Sequence, residues 1–178
     1  MTTMNPTVDA SRRDTARTPD GPDTPAEYVL DADEVAELRT AAEKLGEVHG
    51  APSLPEFYDR VLTAEESLPA GLRTFLLSYR RSERNAACLV HGFPVDGDAL
   101  GPTPGHSREA IQGGTARDQE VWLALCGLLL GDPFGWATLQ EGRIIQNILP
   151  IHGDEDRQSG YGSEALLEFH TEDGFHPN

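Results

Sequence analysis

Apolar residues recur at helical spacing through the first half of the chain. Between residues 31 and 48 they stand three or four positions apart, at Val35, Leu38, Ala42 and Leu45. This spacing places them on one face of an α-helix, and Asp31 or Asp33 would cap its N-terminus. Pro55 opens a short predicted helix through residue 62, because proline is favoured at the first position of a helix. A third helix is predicted over residues 69–81, whose apolar residues again form one stripe.

After residue 85 the pattern changes from helical spacing to short apolar runs. Residues 86–90, 142–149 and 166–170 each form such a run, and glycine or proline follows the first two. Runs of this length with such boundaries predict buried strands. The strongly apolar stretch 118–130 predicts one more helix, which the Gly-Asp-Pro sequence after it would stop. Loops are predicted over residues 96–114 and 152–163, where glycine is frequent.

The order of these elements predicts the fold class. Helices come first and strands later, so we predict an α+β or mostly β fold and not the alternation that a parallel sheet requires. Residues 1–26 carry almost no apolar side chain larger than valine and predict a disordered tail before an ordered domain over residues 27–178. Three strands leave a sheet with open edges. We therefore expect the chain to be incomplete.

Charge and cysteine content exclude several classes of partner. The chain has 30 acidic and 14 basic residues and a net charge of −16. Such a chain repels phosphate backbones, so we expect no nucleic-acid partner. There is no apolar leader and no apolar run long enough to cross a bilayer, which predicts a cytoplasmic protein without a membrane partner. Cys88 and Cys126 lie in apolar runs without a Cys-x-x-Cys motif, which suits buried thiols in a reducing compartment.

Candidate metal chemistry lies at the end of the chain. His170 and Glu172 are two residues apart in the last predicted strand, so an imidazole and a carboxylate would share one face. With a distant histidine this pair forms the 2-His-1-carboxylate triad of non-haem Fe(II) oxygenases, which leaves positions open for a 2-oxo acid and dioxygen. The spacing by itself favours a strand-end histidine beside a solvated glutamate over a metal site.

Two neighbouring residues offer alternative ligands. His176 could complete the triad locally, although Gly174 and Pro177 predict a turn that directs it away. Asp173 could replace the glutamate, but on a strand it would point to the opposite face from His170.

Four segments together resemble a known family. They are residues 91–94, 130–138, 142–150 and 170–173. In this order they resemble the clavaminate synthase-like branch of the Fe(II)/2-oxoglutarate oxygenases, and within it the arginine β-hydroxylases, from about Tyr28 to the last residue. The resemblance implies a double-stranded β-helix, or jelly roll, with helices outside. It also implies that His170 and Glu172 are two iron ligands, with the third histidine and the 2-oxoglutarate-binding arginine outside this chain.

The resemblance also implies residues for the substrate. Gln140 falls near the position where the arginine hydroxylases place a glutamine against the substrate α-amino group, although it would equally serve as a loop amide. Ser159 and Ser163 lie in the loop that touches the substrate carboxylate in relatives, but serine in a glycine-rich loop also serves the turn itself. Asp173 and Phe175 would border a lid over the substrate, or simply pack there.

The implied reaction is the hydroxylation of a free amino acid. Fe(II) would be the metal, 2-oxoglutarate the co-substrate and dioxygen the oxidant, with L-arginine oxidised at its β-carbon. Because a ligand is missing, we expect the chain by itself to be inactive. Two alternatives stay open: an oxygenase of the same fold for another basic or carrier-bound amino acid, and a non-catalytic binding module.

Overall fold

Helices surround one apolar core in the part of the chain that the structure describes. The computed structural model describes residues 24–49, 51–61, 64–82, 84–106, 109, 114–157, 162 and 164–166. The strands are β1 (Ala26–Val29) and β2 (Cys88–His91). The helices are α1 (Ala32–His49), α2 (Pro55–Arg60), α3 (Ala70–Ser82), α4 (Gly97–Leu100) and α5 (Arg117–Leu130), with 3-10 turns at Ala64–Ser67 and Gln140–Gly142.

The helical core consists of the buried side chains that α1, α2, α3 and α5 direct at one another. Its members include Leu38, Ala42, Phe57, Leu72, Leu76, Val121 and Leu125. The Trp122 indole N–H donates to the Leu38 carbonyl at 2.9 Å, so the polar group of this buried ring is satisfied across the helix pair. The periodicity that predicted these helices is therefore the spacing of the residues that the core buries.

A capping box begins α1. The Asp31 side chain accepts from the backbone N–H groups of Asp33 and Glu34, both at 2.9 Å, and the Glu34 carboxylate accepts from the Asp31 N–H at 3.1 Å. These bonds satisfy N–H groups that have no partner within the helix. Of the two predicted caps, Asp31 is the one the structure contains.

The four predicted helices and the strand at residues 86–90 are confirmed to within three residues at each end. The strand predicted over residues 142–149 is wrong. In place of strand pairing, the Ile144 N–H donates to the Ser53 carbonyl at 2.8 Å, and the Asn147 N–H donates to the Gln140 side chain at 3.0 Å. An apolar run alone does not distinguish a strand from an extended segment that packs on helices. The predicted strand 166–170 lies outside the described residues apart from Leu166.

The sheet differs from the prediction in two ways. The sequence did not predict β1, which begins at Ala26, a buried residue that had been assigned to the disordered tail. Strands β1 and β2 pair in parallel, from Ala26 beside Cys88 to Val29 beside His91, and helices α1 to α3 form the crossover between them. A parallel pair requires such a connection, so the helices that were predicted to precede every strand lie between two strands. Within the predicted loop 96–114, α4 is an additional helical turn.

Both cysteines are free and partly buried, as the sequence predicted. Burial raises the pKa of both thiols, that of Cys126 to about 12 with a further contribution from Cys88. Across the residues with described coordinates, no helix has both the length and the apolar character needed to cross a bilayer.

Candidate functional site

Most of the predicted site lies beyond the residues that can be described. His170, Glu172, Ser159, Ser163 and the alternative residues after Glu172 are among the residues outside the description. Within the described ranges, no group of three or more histidine, cysteine or acidic side chains is arranged to hold a metal. The predicted iron ligands and serines therefore stay predictions.

Gln140 is the predicted site residue that the structure places. Its side-chain N–H donates to the Asn147 carbonyl at 2.9 Å, and its side-chain oxygen accepts from the Asn147 N–H at 3.0 Å. The amide thus pairs with a backbone as a neighbouring strand would. One hydrogen and one lone pair of the Gln140 amide are left over for another partner. The loop role and the substrate role are therefore compatible.

The backbone around Gln140 is strained. Gln140 and Glu141 have φ angles of 42° and 64°, a region that non-glycine residues rarely adopt. The two side-chain bonds to Asn147 are the observed contacts that hold Gln140 there. Strain of this kind persists only where the surrounding structure determines it, and it is common at binding sites.

Residues 134–148, here called the Gln140 loop, fold back on themselves. The Leu139 N–H donates to the Trp136 carbonyl and the Gly142 N–H to the Leu139 carbonyl, both at 2.9 Å. Gly135 lies against the returning backbone, where a Cβ would come within 2.8 Å of the Gly142 carbonyl oxygen. The close approach of the two sides of this loop therefore requires glycine at position 135.

Arg143 fastens the Gln140 loop to the turn between α1 and α2. Its guanidinium donates to the Ser53 hydroxyl at 2.5 Å, and the neighbouring Ile144 N–H donates to the Ser53 carbonyl at 2.8 Å. Ser53 is only 1% exposed, so water does not replace these bonds readily. Two polar groups of one buried serine are thus used by adjacent residues of the loop.

A partly buried carboxylate on α5 belongs to the same cluster. Burial raises the pKa of Glu120, while the positive charges of Arg143 and Arg117 oppose that rise. Burial, together with the charge of Glu120, raises the pKa of Tyr58 to about 12. The sequence did not single out Ser53, Arg143 or Glu120 as functional. The sole signal was an arginine just before the apolar pair Ile144 and Ile145.

The segment after the loop is organised by Glu155. Both of its carboxylate oxygens accept from the Gly153 N–H at 2.9 Å, and one lies 2.9 Å from the His152 ring. These groups, the backbone N–H of Gly153 first, hold the pKa of Glu155 below its ordinary value. The Glu155 carbonyl in turn accepts from the N–H groups of Glu164 and Ala165. Residue 155 therefore closes the predicted loop 152–163 at its base.

Comparison with known proteins identifies relatives. No family model matches the chain. The L-ornithine/L-arginine 3-hydroxylase of Catenulispora acidiphila is 46% identical over 114 residues, which are 64% of this chain and 33% of that protein. The enduracididine beta-hydroxylase of Streptomyces hygroscopicus is 38% identical over 148 residues, 83% of this chain and 43% of that protein. Clavaminate synthase 2 of Streptomyces clavuligerus is 34% identical over 141 residues, 79% and 42% of the two chains.

The chain is similar in sequence to amino-acid hydroxylases and to clavaminate synthase 2. The resemblance found in the sequence is thereby confirmed, including its likeness to arginine β-hydroxylases. The chain also superposes on the non-heme iron oxygenase OrfP, solved in complex with Fe, succinate and (3S)-hydroxy-L-Arg, with a TM-score of 0.77 and 35% sequence identity. That match covers 86% of this chain and 46% of OrfP. The chain thus spans less than half the length of these oxygenases.

The relationship extends to the three-dimensional structure. The solved structures on which it superposes are those of an iron oxygenase, and the described part of this chain consists of helices with a two-stranded sheet. The jelly-roll barrel that the resemblance implied is not among the described elements.

Proposed function

We propose that this chain forms part of an Fe(II)- and 2-oxoglutarate-dependent oxygenase that hydroxylates free L-arginine at the β-carbon. The observation that carries the proposal is the likeness to OrfP, whose solved complexes contain Fe with alpha-ketoglutaric acid and Fe with succinate and (3S)-hydroxy-L-Arg. Carbon 3 of an amino acid is the β-carbon, and the relative from Catenulispora acidiphila is named for the same position. Both likenesses therefore support oxidation at the β-carbon.

We infer that His170 and Glu172 hold the iron, with a histidine from outside this chain. An imidazole and a carboxylate are the ligand types that suit Fe(II) in these oxygenases. With 2-oxoglutarate and dioxygen, the bound iron would supply the oxidising chemistry and leave succinate and carbon dioxide as co-products. The protein's own contribution is to place one C–H bond of the substrate beside the metal.

The geometry of Gln140 supports a role in substrate binding. Its side-chain oxygen accepts one hydrogen bond from Asn147 and has a second lone pair. An α-ammonium group is a charged donor, and hydrogen bonds from charged donors are stronger than neutral ones. We propose that this lone pair accepts from the α-amino group, while Ser159 and Ser163 face the substrate carboxylate.

The proposal includes the fold of the whole oxygenase. We infer that the described helices pack outside a double-stranded β-helix, to which His170 and Glu172 contribute from one strand. The exposed apolar residues support this, because Val29 on β1 is 68% exposed and Leu89 on β2 is 44% exposed. Large apolar side chains on an open sheet are typical of a surface that another part of a protein covers.

The experiment uses the protein expressed from its complete reading frame and purified without oxygen. It is given Fe(II), 2-oxoglutarate and L-arginine, and succinate and the mass of the amino acid are measured. We expect a gain of one oxygen atom that is lost in His170→Ala.

Other outcomes would contradict separate parts of the proposal. Equal amounts of succinate with and without L-arginine would contradict L-arginine as the substrate but still support an oxygenase. Oxidation of L-asparagine in place of L-arginine would favour the reaction named for another relative, the L-asparagine oxygenase of Streptomyces coelicolor, which is 32% identical over 163 residues. Absence of iron binding by the folded protein would favour the non-catalytic binding module.

A further inference from the structure

Hydrogen bonds to Ser53 join the strained segment around Gln140 to the turn between α1 and α2. The Ile144 N–H donates to the Ser53 carbonyl at 2.8 Å. The Arg143 guanidinium adds a bond to the Ser53 hydroxyl. Both bonds end on the same buried serine, which is 90 residues away from Arg143 along the chain.

We propose that Ser53 and Arg143 are positioning residues that fix the direction of the Gln140 amide. The inference rests on the proposed function, because it assigns Gln140 to the substrate α-amino group. Arg143 follows Gln140 by three residues, and Asn147, the partner of the Gln140 amide, follows Arg143 by four. The attachment at Arg143 and Ile144 therefore lies between the two residues that form the amide bridge.

The chemistry of the attachment suits a positioning role better than a simple packing role. Arginine remains charged and holds a planar set of donors, so its direction is fixed by the groups it meets. Here those groups are the Ser53 hydroxyl and, through its charge, Glu120 on α5. Ser53 lies in the turn after α1, so the orientation of the loop is set by two helices of the core.

Internal hydrogen bonds hold the turn of the loop together at residues 136–142. Ile144 and Ile145 pack against the helical core, yet apolar contacts are non-directional and permit small rotations. Loss of the Ser53 hydroxyl would leave the loop close to its place with the amide of Gln140 misdirected.

The first test measures the attachment without activity. Amide hydrogen exchange is followed at Ile144 and Asn147 in Ser53→Ala and in Arg143→Gln. We expect faster exchange at Asn147 in both variants, because its N–H is protected by the Gln140 side chain, and unchanged exchange within α1 and α5. Ser78→Ala and Arg81→Lys are matched controls on the exposed side of α3. Unchanged exchange at Asn147 in both variants would overturn the inference.

The second test measures substrate binding in the protein from its complete reading frame. A misplacement of about 1 Å costs on the order of 100-fold in rate, so we expect kcat/KM for L-arginine to fall between about 10- and 100-fold in Ser53→Ala. The KM for 2-oxoglutarate should not change. The fall in kcat/KM should be smaller in Arg143→Lys than in Arg143→Gln, because lysine keeps the positive charge near Glu120 but lacks the planar donors.

Three results separate the possible failures. If kcat/KM fell equally for L-arginine and for 2-oxoglutarate, and the melting temperature fell as well, the two residues would have a general structural role and the inference would be overturned. Faster exchange at Asn147 without any change in kcat/KM for L-arginine would also overturn it. If the unmodified protein oxidises no amino acid, the proposed function fails, whereas faster exchange at Asn147 would still support the attachment of Gln140 by Ser53 and Arg143.

Discussion

The helical core and the Gln140 loop are held in place by different forces. In the core, complete burial of aliphatic and aromatic side chains supplies the stability, and Phe57, Leu72 and Leu125 are all 0% exposed. In the loop, Phe134 is 50% exposed, Leu139 45% and Ile148 75%, and apolar packing on the core comes from Ile144 and Ile145. Hydrogen bonds from a few side chains to backbone groups fix its shape instead.

The difference separates stability from binding. The free energy gained by burying apolar side chains is roughly proportional to the area buried. Core substitutions that conserve volume therefore cost little. A side chain that bonds to a particular backbone group requires one geometry, as the pair Gln140 and Asn147 does. A binding group needs a fixed direction more than it needs stability, and the loop supplies direction at the cost of depending on single contacts.

The largest expected effect comes from removing apolar volume from the core. Leu125→Ala should lower the free energy of unfolding by about 2–5 kcal/mol, since the side chain is fully buried and leaves a cavity. Leu123→Ala is the matched control on the same helix, where the side chain is 60% exposed, and should change it by less than about 0.5 kcal/mol. Urea unfolding followed by circular dichroism measures both. Equal effects would mean that burial does not distinguish core from surface on α5.

A smaller effect, confined to the loop, is expected from Gly135→Ala. The added Cβ would lie 2.8 Å from the Gly142 carbonyl oxygen and 2.9 Å from that of Arg143, so one side of the loop must move. Overpacking of this kind costs about 1–3 kcal/mol. Amide exchange should be faster at Gly142 and Ile144 and unchanged in α5.

Gly131→Ala is the control for that substitution. Its Cβ would meet nothing within 4 Å, and its φ of 177° is open to any residue. If amide exchange in Gly135→Ala became faster in α5 as well as in the loop, the distinction between the two regions would be wrong.

The same contrast explains what the sequence predicted well. Helices α1 and α3 follow from residues such as Leu38 and Leu76, whose regular spacing is itself the consequence of facing one core. The Asp31 cap is equally local, because its partners lie within three residues. Information of this kind is contained in short windows of sequence.

The loop depends on contacts that no short window contains. The run 142–149 predicted a strand, but Ile144 bonds to Ser53, about 90 positions earlier, and no spacing rule connects them. Strand β1 was missed because Glu27 interrupts its apolar residues, whereas β2 lies at the end of the continuous apolar run 86–90. Gln140 was found only through resemblance to a family, which supplies long-range information that periodicity lacks.

The smallest expected effect concerns a thiol at the edge of the core. Burial raises the pKa of Cys126 from its ordinary value of 9.0 to about 12, with a further rise from Cys88. The folded state therefore keeps its proton in a pH range where the unfolded state loses it. The contribution of Cys126 to the free energy of unfolding is fully present below pH 9.0 and is lost as the pH rises towards about 12.

The loss should reach at most about 1.4 kcal/mol per pH unit, because one proton is involved. Urea unfolding of the unmodified chain and of Cys126→Ala between pH 8 and pH 10 isolates it, since every other group titrates in both proteins. The slope of unfolding free energy against pH should be shallower in Cys126→Ala. Parallel slopes would mean that Cys126 reaches solvent in the folded state. The edge of the core beside β2 would then resemble the Gln140 loop, where side chains are only partly covered.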